Sequence, residues 1–584
     1  MFLSEIKIEG FRNYLKDHIC FREKTLIIGS NDIGKTNLMH ALRIILDKKI
    51  SESELEPKDS DFFVHSETNE IYIQVKFENS KHDCVVGKLG KYINDEGILY
   101  IAYRAMRDRN TKEKKYTFLI GHTESDLQEI EARYYLKVLN VEFIGSNREL
   151  SSFIKREKKN LLVEAKKARE EDQLKSDEQV TRKIEKTITA LNRRITNLSY
   201  VSNATSNLNT ELLNLSLHHQ NNIVKFDVGA ADVDDFISEL ELVSKVNDKS
   251  LEVGGEGRNN QIYLALWTSK NKIAEEPLEI KICCIEEPEA HLHPHQQRKL
   301  AEYLVESLNT QVIITTHSPQ IACEFPYDSI IRLYNSKPDT KAANNGCSKI
   351  IEKSLNNFGY RLNIIPAEAF FSSVVLLVEG PSEVLFYKAL ASNLEINLDR
   401  LNISILAVDS VGFNSYLEIL TSLNIPWVIR TDNDIFKVPY NEYYYFAGLS
   451  RAITFAEKYT VIPADLESLL SDKSKVSNIA DRNNIDPGQL KWAKEVILKL
   501  NENNIYLSNN DLELDIINSP LKDCVLSYTS ETELTNAVSK MKKNKATFMY
   551  DFLVNNYSNL EMLNDHSLAK PLTKCKHLVE EMSK

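Results

Sequence analysis

Three groups of residues in this sequence have the types and the spacing to do chemistry. The first is Gly29-Ser30-Asn31-Asp32-Ile33-Gly34-Lys35-Thr36, followed by Asn37. Glycines let successive backbone N–H groups wrap a polyphosphate where a helix begins. At that spacing Lys35 reaches the β- and γ-phosphates and Thr36 holds Mg²⁺, so Gly29, Asn31, Gly34, Lys35, Thr36 and Asn37 are candidate contacts for ATP with Mg²⁺. The second group is Glu286-Glu287 with His317. The first carboxylate suits a water-bound Mg²⁺, the second an attacking water, and His317 a γ-phosphate. The third is Glu379-Gly380-Pro381-Ser382-Glu383 with Asp432-Asn433-Asp434. Several carboxylate oxygens converging at one point suit Mg²⁺ or Mn²⁺. Two such ions about 4 Å apart activate water and stabilise the leaving oxygen in phosphodiester cleavage.

These residues work only if strands and helices bring them to common edges. Leu26-Ile27-Ile28 reads as a buried strand ahead of the glycine loop, and Leu38, Ala41, Leu42, Ile45 and Leu46 give a helical stripe behind it. Ile280–Ile285 is a mostly apolar strand ending in Glu286, and Val312-Ile313-Ile314-Thr315-Thr316 is another ending in His317. Val374–Val378 runs into Glu379, and Ile425–Arg430 leads to Asp432. The tips of parallel strands in an open α/β sheet are where sites form. Period two sends Asp432 and Asp434 to one side of an extended chain. Ile71, Ile73, Val75 and Phe77 alternate with more polar residues as a half-buried strand does. Each acidic group also has a plainer reading, as a solvated loop at a strand end.

The chain is 584 residues long and 42 % apolar, enough for several domains with sizeable cores. No stretch approaches the roughly 18–20 apolar residues that span a bilayer. The opening Phe2-Leu3-Ser4-Glu5-Ile6 lacks the layout of a signal peptide, so the expected location is cytoplasmic, with no membrane partner. None of the eight cysteines forms the C-x-x-C pair that a zinc ribbon needs. A net charge of −12 argues against a purely electrostatic DNA coat, yet a carboxylate-rich metal site requires negative charge. Composition divides the chain into an α/β part at 1–145, a helical insertion at 146–222 rich in Lys, Glu, Asn and Leu, a second α/β part at 223–350, and an α/β domain with a helical, charged C-terminal part at 351–584.

The order of glycine loop, acidic strand and histidine strand resembles the ABC-type ATPases of the SMC/RecF/OLD group, and Ile6–Tyr14 looks like their first strand. That resemblance implies a signature loop before the acidic strand, best matched by Val253-Gly254-Gly255-Glu256-Gly257. Gly255 would then contact the γ-phosphate bound to a second subunit, although Gly254 replaces the usual serine. The insertion falls where this group carries coiled-coil arms, which implies dimerisation. The third acidic group resembles a Toprim domain. On that resemblance Glu379 is the leading carboxylate, Glu383 a further metal ligand, Asp409 in Ala407–Gly412 faces the metals, and Asp432 and Asp434 complete the set.

The order ATPase, insertion, ATPase, Toprim is similar to the OLD (overcoming lysogenization defect) family. Within it, the length and the Asp511-Leu512-Glu513 element are most similar to the Gabija anti-phage endonucleases. This implies Asp511 and Glu513 as ligands of a second metal, although Asp511 also reads as an acidic helix start. It implies Lys545 as the cation beside the metals, where charge builds on the leaving oxygen. It further implies a homo-oligomeric (dimeric or tetrameric) DNA endonuclease acting on phage double-stranded DNA, regulated by nucleotide and working with a separate UvrD-like helicase subunit. The rival reading is an ATP-gated DNA clamp or repair scaffold with an inactive Toprim domain. A topoisomerase would need an additional DNA-binding domain, a primase a zinc-binding region, and a transporter subunit no Toprim domain.

Overall fold

The computed structural model describes the chain apart from residues 66–67, 109, 146–161, 164, 168, 216–223, 225–232, 234–236, 238–242, 247–248, 253–278, 307, 309, 348–363, 410–411, 439, 483 and 584. Two compact units are present: Met1–Ser146, Pro277–Glu289 and His293–Lys584 form one, and Asn147–Glu276 with Ala290–Leu292 form the other. The second unit runs on to Glu276, beyond the compositional change at 222. The signature match around Gly255 lies outside the described residues.

The first unit begins with an antiparallel sheet in the order Tyr14–Cys20, Phe2–Phe11, Glu70–Glu78, Leu99–Arg107, Lys114–Thr123, Asp126–Ile130. The alternation at Ile71, Ile73, Val75 and Phe77 does what period two dictates: all four are buried. They share one apolar cluster with Leu38, Leu42 and Ile45 of helix Lys35–Leu46 and with Ile27 and Ile313 of a second sheet. Each such side chain contributes about 1.5–3 kcal/mol by leaving water.

The second sheet has the order Asp339–Ala342, Ile330–Ser336, Lys24–Ile28, Gln311–Thr315, Ile280–Glu286, Leu139–Ile144. All pairs are parallel except the hairpin of its first two strands. Parallel register brings Glu286 opposite Thr315 and carries the ends of three central strands to one edge. That edge holds the glycine loop, Glu287 and His317.

A third sheet is wholly parallel, in the order Ile403–Ala407, Val374–Val378, Trp427–Thr431, Ile505–Leu507. Val374–Val378 is buried along its whole length, as a central parallel strand covered on both faces must be. Helices Pro381–Asn393, Lys545–Asn556 and Lys570–Ser583 supply Phe386, Leu390, Phe552, Leu572 and Cys575 to its core. The C-terminal helices therefore belong to this domain and fix where Lys545 starts.

The two parallel sheets are joined through Arg332 on Ile330–Ser336, the strand beside Lys24–Ile28. Its guanidinium donates to Leu423 O at 3.2 Å, Asn424 O at 2.9 Å and Ser372 O at 3.3 Å. These carbonyls precede the strands that end at Glu379 and Asp432. Burial lowers the Arg332 pKa to about 10.

In the other unit, Glu171–Thr196 and Ser199–Leu215 are successive helices. The first is 26 residues long, and Ile188 is its one buried side chain among the described residues. Leu174, Val180, Leu191, Leu208 and Leu212 stand exposed. No described helix is long and apolar enough to cross a membrane.

Candidate active sites

The glycine loop joins Lys24–Ile28 to helix Lys35–Leu46. Gly34 caps that helix at φ +106°, and a Cβ there would stand 2.1 Å from the Asn13 side-chain nitrogen, so only glycine fits. The turn after the first strand stitches the loop down. Asn13 donates to Ile33 O at 2.8 Å, the Tyr14 hydroxyl donates to Gly34 O at 3.0 Å, and Arg12 donates to Asn37 Oδ1 at 2.9 Å. Lys35 Nζ turns onto its own loop, donating to Gly29 O at 3.0 Å and Ser30 O at 2.8 Å. Burial pulls its pKa down to about 8, against the opposing pull of Glu287, Glu289 and Asp32.

Asn31, Gly34, Lys35, Thr36, Asn37, Glu287 and His317 line one cavity of about 810 Å³, together with Asp32. His317 Nε2 lies 3.4 Å from Glu287. Burial, then the neighbouring Lys35 charge, lowers the His317 pKa. Glu286 is buried at its strand end. Glu289, which the sequence reading passed over, accepts from His317 N and the Thr316 hydroxyl, each at 2.7 Å. It fixes the turn that carries the histidine. Its signal was the third carboxylate of Glu286-Glu287-Pro288-Glu289.

At the tip of the third sheet, Glu379, Glu383, Asp432, Glu513 and Lys545 line a second cavity of about 200 Å³. Glu379 Oε1 accepts from the Thr431 hydroxyl at 2.6 Å and from Asp432 N at 2.9 Å. Burial and the charges of Glu379 and Glu383 raise the Asp432 pKa to about 8, while Arg430 and Lys545 pull it down. Asp434 is raised as well, by burial and Glu379. Lys545 Nζ lies 3.2 Å from Glu513 Oε2. Asp511 caps helix Leu512–Ile517, accepting from Leu514 N at 2.9 Å, and its other oxygen pairs with Lys542. Asp511 thus serves the helix start, and neither it nor Asp434 is among the residues that line the cavity.

Two predicted ligands stand differently. Glu383 lies in the first turn of Pro381–Asn393 with both oxygens engaged, one by Arg430 at 2.5 Å and one by Gly380 N at 2.9 Å. Asp409 is exposed and is not among the cavity's lining residues; its backbone N–H donates to Glu379 O at 3.1 Å. At this pocket two residues escaped the sequence reading, Arg430 and Arg451. Arg430, fully buried, also reaches Asp515 at 2.9 Å and stands 3.7 Å from Asp432. A charge directly after the apolar run Ile425–Ile429, within the buried strand Trp427–Thr431, was the available signal, because a buried arginine must be paired. Arg451 has no comparable local signal.

Burial and neighbouring carboxylates drive Glu383, Asp432 and Asp434 toward protonation, which a cation would relieve, and an all-oxygen donor set suits a hard divalent one. The lining residues therefore fit Mg²⁺ or Mn²⁺.

Residues 1–322 match the family described as "AAA ATPase domain". Residues 370–434 match "Overcoming lysogenization defect protein-like, TOPRIM domain". The chain is similar to the endonuclease GajA of Bacillus cereus (strain VD045), 27% identical over 578 residues and covering 96% of either chain. It is also similar to the OLD nuclease of Thermus scotoductus, 26% identical over 225 residues, which cover 36% of this chain and 41% of that one. A stretch of 46 residues is 48% identical to the DNA replication and repair protein RecF of Bacillus thuringiensis (strain Al Hakam), covering 8% of this chain and 12% of that one.

Proposed function

Because the chain belongs to the AAA ATPase domain family and carries an OLD-like TOPRIM domain behind it, we propose that it is an ATP-binding, divalent-metal-dependent DNA endonuclease of anti-phage defence. The observation that carries this reading is the convergence of Glu379, Asp432, Glu513 and Lys545 on one small acidic cavity. Similarity over 96% of an endonuclease's length supports the reaction class.

Glu379, Asp432 and Asp434, with Asp511 and Glu513, are the groups that would hold two Mg²⁺ or Mn²⁺ ions. When bound, such ions supply an activated water and neutralise charge on the scissile phosphate. Thr431 and the Asp432 N–H orient Glu379. Arg430 holds Glu383 and Asp515 in place beneath the site. Lys545 presents an ammonium where the leaving oxygen gains charge. Water adds to phosphorus as one P–O ester bond breaks, leaving a phosphate on one strand end and a hydroxyl on the other.

At the other pocket Gly29, Asn31, Gly34, Lys35, Thr36 and Asn37 would hold ATP with Mg²⁺, with Glu286, Glu287 and His317 at the γ-phosphate. Gly255 would come from a second subunit. Nucleotide regulates cutting in this reading, and the Arg332 joint between the two sheets supports it. Self-assembly as a dimer or tetramer is supported by the exposed apolar residues on Glu171–Thr196 and Ser199–Leu215. A separate UvrD-like helicase subunit and a cytoplasmic location complete the proposal.

The test is cleavage of supercoiled plasmid and linear phage DNA by the full-length protein, with Mg²⁺ or Mn²⁺, with and without ATP. Glu379→Ala should lower cleavage by about 10³-fold or more, since it removes the central ligand. Equal cleavage by the variant would take the reaction away from Glu379, and none by the native protein in any condition would favour the clamp reading or a requirement for the separate helicase subunit.

A further inference from the structure

Helix Ala447–Tyr459 docks by its first turn on the Asp432–Asp434 loop. Gly448 N donates to Asp434 O at 3.1 Å, and a Cβ on Gly448 would stand 2.3 Å from Asp432 O. One turn further on, a single Arg451 nitrogen, Nη2, donates to Glu379 Oε1 at 2.8 Å, to the Thr431 hydroxyl at 2.7 Å and to Asp432 O at 3.2 Å. Glu379 Oε1 thus takes three donors: Arg451, Thr431 and Asp432 N. A cation that uses this oxygen meets the guanidinium already there. Yet Arg451 is not spent by these contacts. A guanidinium has five N–H donors, and Arg451 Nε is buried without an acceptor. Its side chain is 36% exposed, so it can move outward.

Resting on the metal-nuclease reading above, we propose that Arg451 exchanges partners during the reaction. It holds Glu379 Oε1 while no cation is bound, yields that oxygen to the arriving cation, and transfers its donors to a non-bridging phosphate oxygen of the DNA strand. Two like charges cannot share one carboxylate oxygen at low cost, so the cation expels the guanidinium. A planar guanidinium then matches a phosphate in a bidentate fashion. Cation and DNA therefore bind cooperatively: each removes the other's competitor. Without DNA, Arg451 weakens cation binding; with DNA, it strengthens the complex.

This predicts effects of opposite sign from one substitution. Mn²⁺ binding to the full-length protein is titrated calorimetrically without DNA, and kcat and KM for DNA cleavage are measured in parallel. The variants are Arg451→Met and, as a second neutral replacement should the first fail to fold, Arg451→Gln. Each variant should bind Mn²⁺ about 5-fold tighter than the native protein. The KM for DNA should rise by about 10-fold, from the lost charge-assisted contact. An arginine that merely buttresses Glu379 would weaken Mn²⁺ binding when removed. Unchanged or weaker Mn²⁺ binding in the variant that folds overturns the proposal while leaving the nuclease reading intact. Glu379→Gln separates the two: if the native protein binds no Mn²⁺ and Glu379→Gln cleaves DNA as well as it does, the metal-nuclease reading fails and this proposal with it.

Discussion

The nucleotide pocket and the acidic pocket both hold a lysine beside carboxylates, but they are built on different principles. Around Lys35 the cavity is wide, about 810 Å³, and most of its lining comes from one contiguous stretch, Asn31–Asn37. Its phosphate-binding groups are backbone N–H groups and a helix start, which cost nothing in mutual repulsion. Around Lys545 the cavity is about 200 Å³, and its lining comes from four separate stretches, three of which bring carboxylates while the fourth brings Lys545 itself. Such a pocket needs counter-charges before any metal arrives. Arg430, Arg451, Lys542 and Lys545 supply them. A cradle made of backbone can wait open; a cradle made of carboxylates must be held apart by cations of its own.

The sharpest way to test this difference is to remove the counter-charge at the base of the acidic pocket. Arg430→Met leaves Glu383 and Asp515 buried without their partner, and breaking a buried pair in this way costs about 3–5 kcal/mol. Urea unfolding should show that loss, and a change under 1 kcal/mol would mean that the carboxylates do not need the arginine. A smaller effect is expected from Lys35→Ala. ATP affinity should fall about 10²-fold by equilibrium binding as the charge-assisted contact is lost. Mn²⁺ binding at the acidic pocket should persist; its loss would show that the two pockets are not built separately. The smallest effect is expected from Gly448→Ala, whose Cβ would press on the Asp432 carbonyl. Overpacking there should cost about 1–3 kcal/mol and reduce cleavage with little change in ATP binding. Unaltered cleavage would show that the Asp432–Asp434 loop tolerates displacement.

The same contrast decides what could be read from the sequence. The glycine loop is visible because its chemistry lies in consecutive backbone units, so spacing alone specifies it. The strands that lead to Glu286, His317, Glu379 and Asp432 are visible because buried parallel strands are apolar runs, and their tips lie where polar residues take over. The helix behind the loop follows from its stripe, and Leu38, Ala41, Leu42, Ile45 and Leu46 are all buried. Arg451 was not legible. It acts across a helix turn on a residue 72 positions earlier, and no local period marks such a contact. Arg430 and Glu289 were nearer to legible, since each is a charge where an apolar run or a tight turn ought to exclude one. Glu383 shows the opposite limit. Its spacing from Glu379 suggests a shared task, but its oxygens already serve Arg430 and the helix start.

Arg332 has a consequence for how the two domains can diverge. On one side of that joint stands a specific side chain; on the other stand only the carbonyls of Ser372, Leu423 and Asn424. Every amino acid carries a carbonyl, so the TOPRIM side of the joint is blind to its own sequence. The joint itself places no demand on those three side chains so long as the loops keep their course, whereas the ATPase side is bound to a guanidinium. A chimera that joined this ATPase part to a TOPRIM domain of unrelated sequence but equal loop geometry would keep the joint. One that kept the TOPRIM domain and replaced the strand Ile330–Ser336 would lose it.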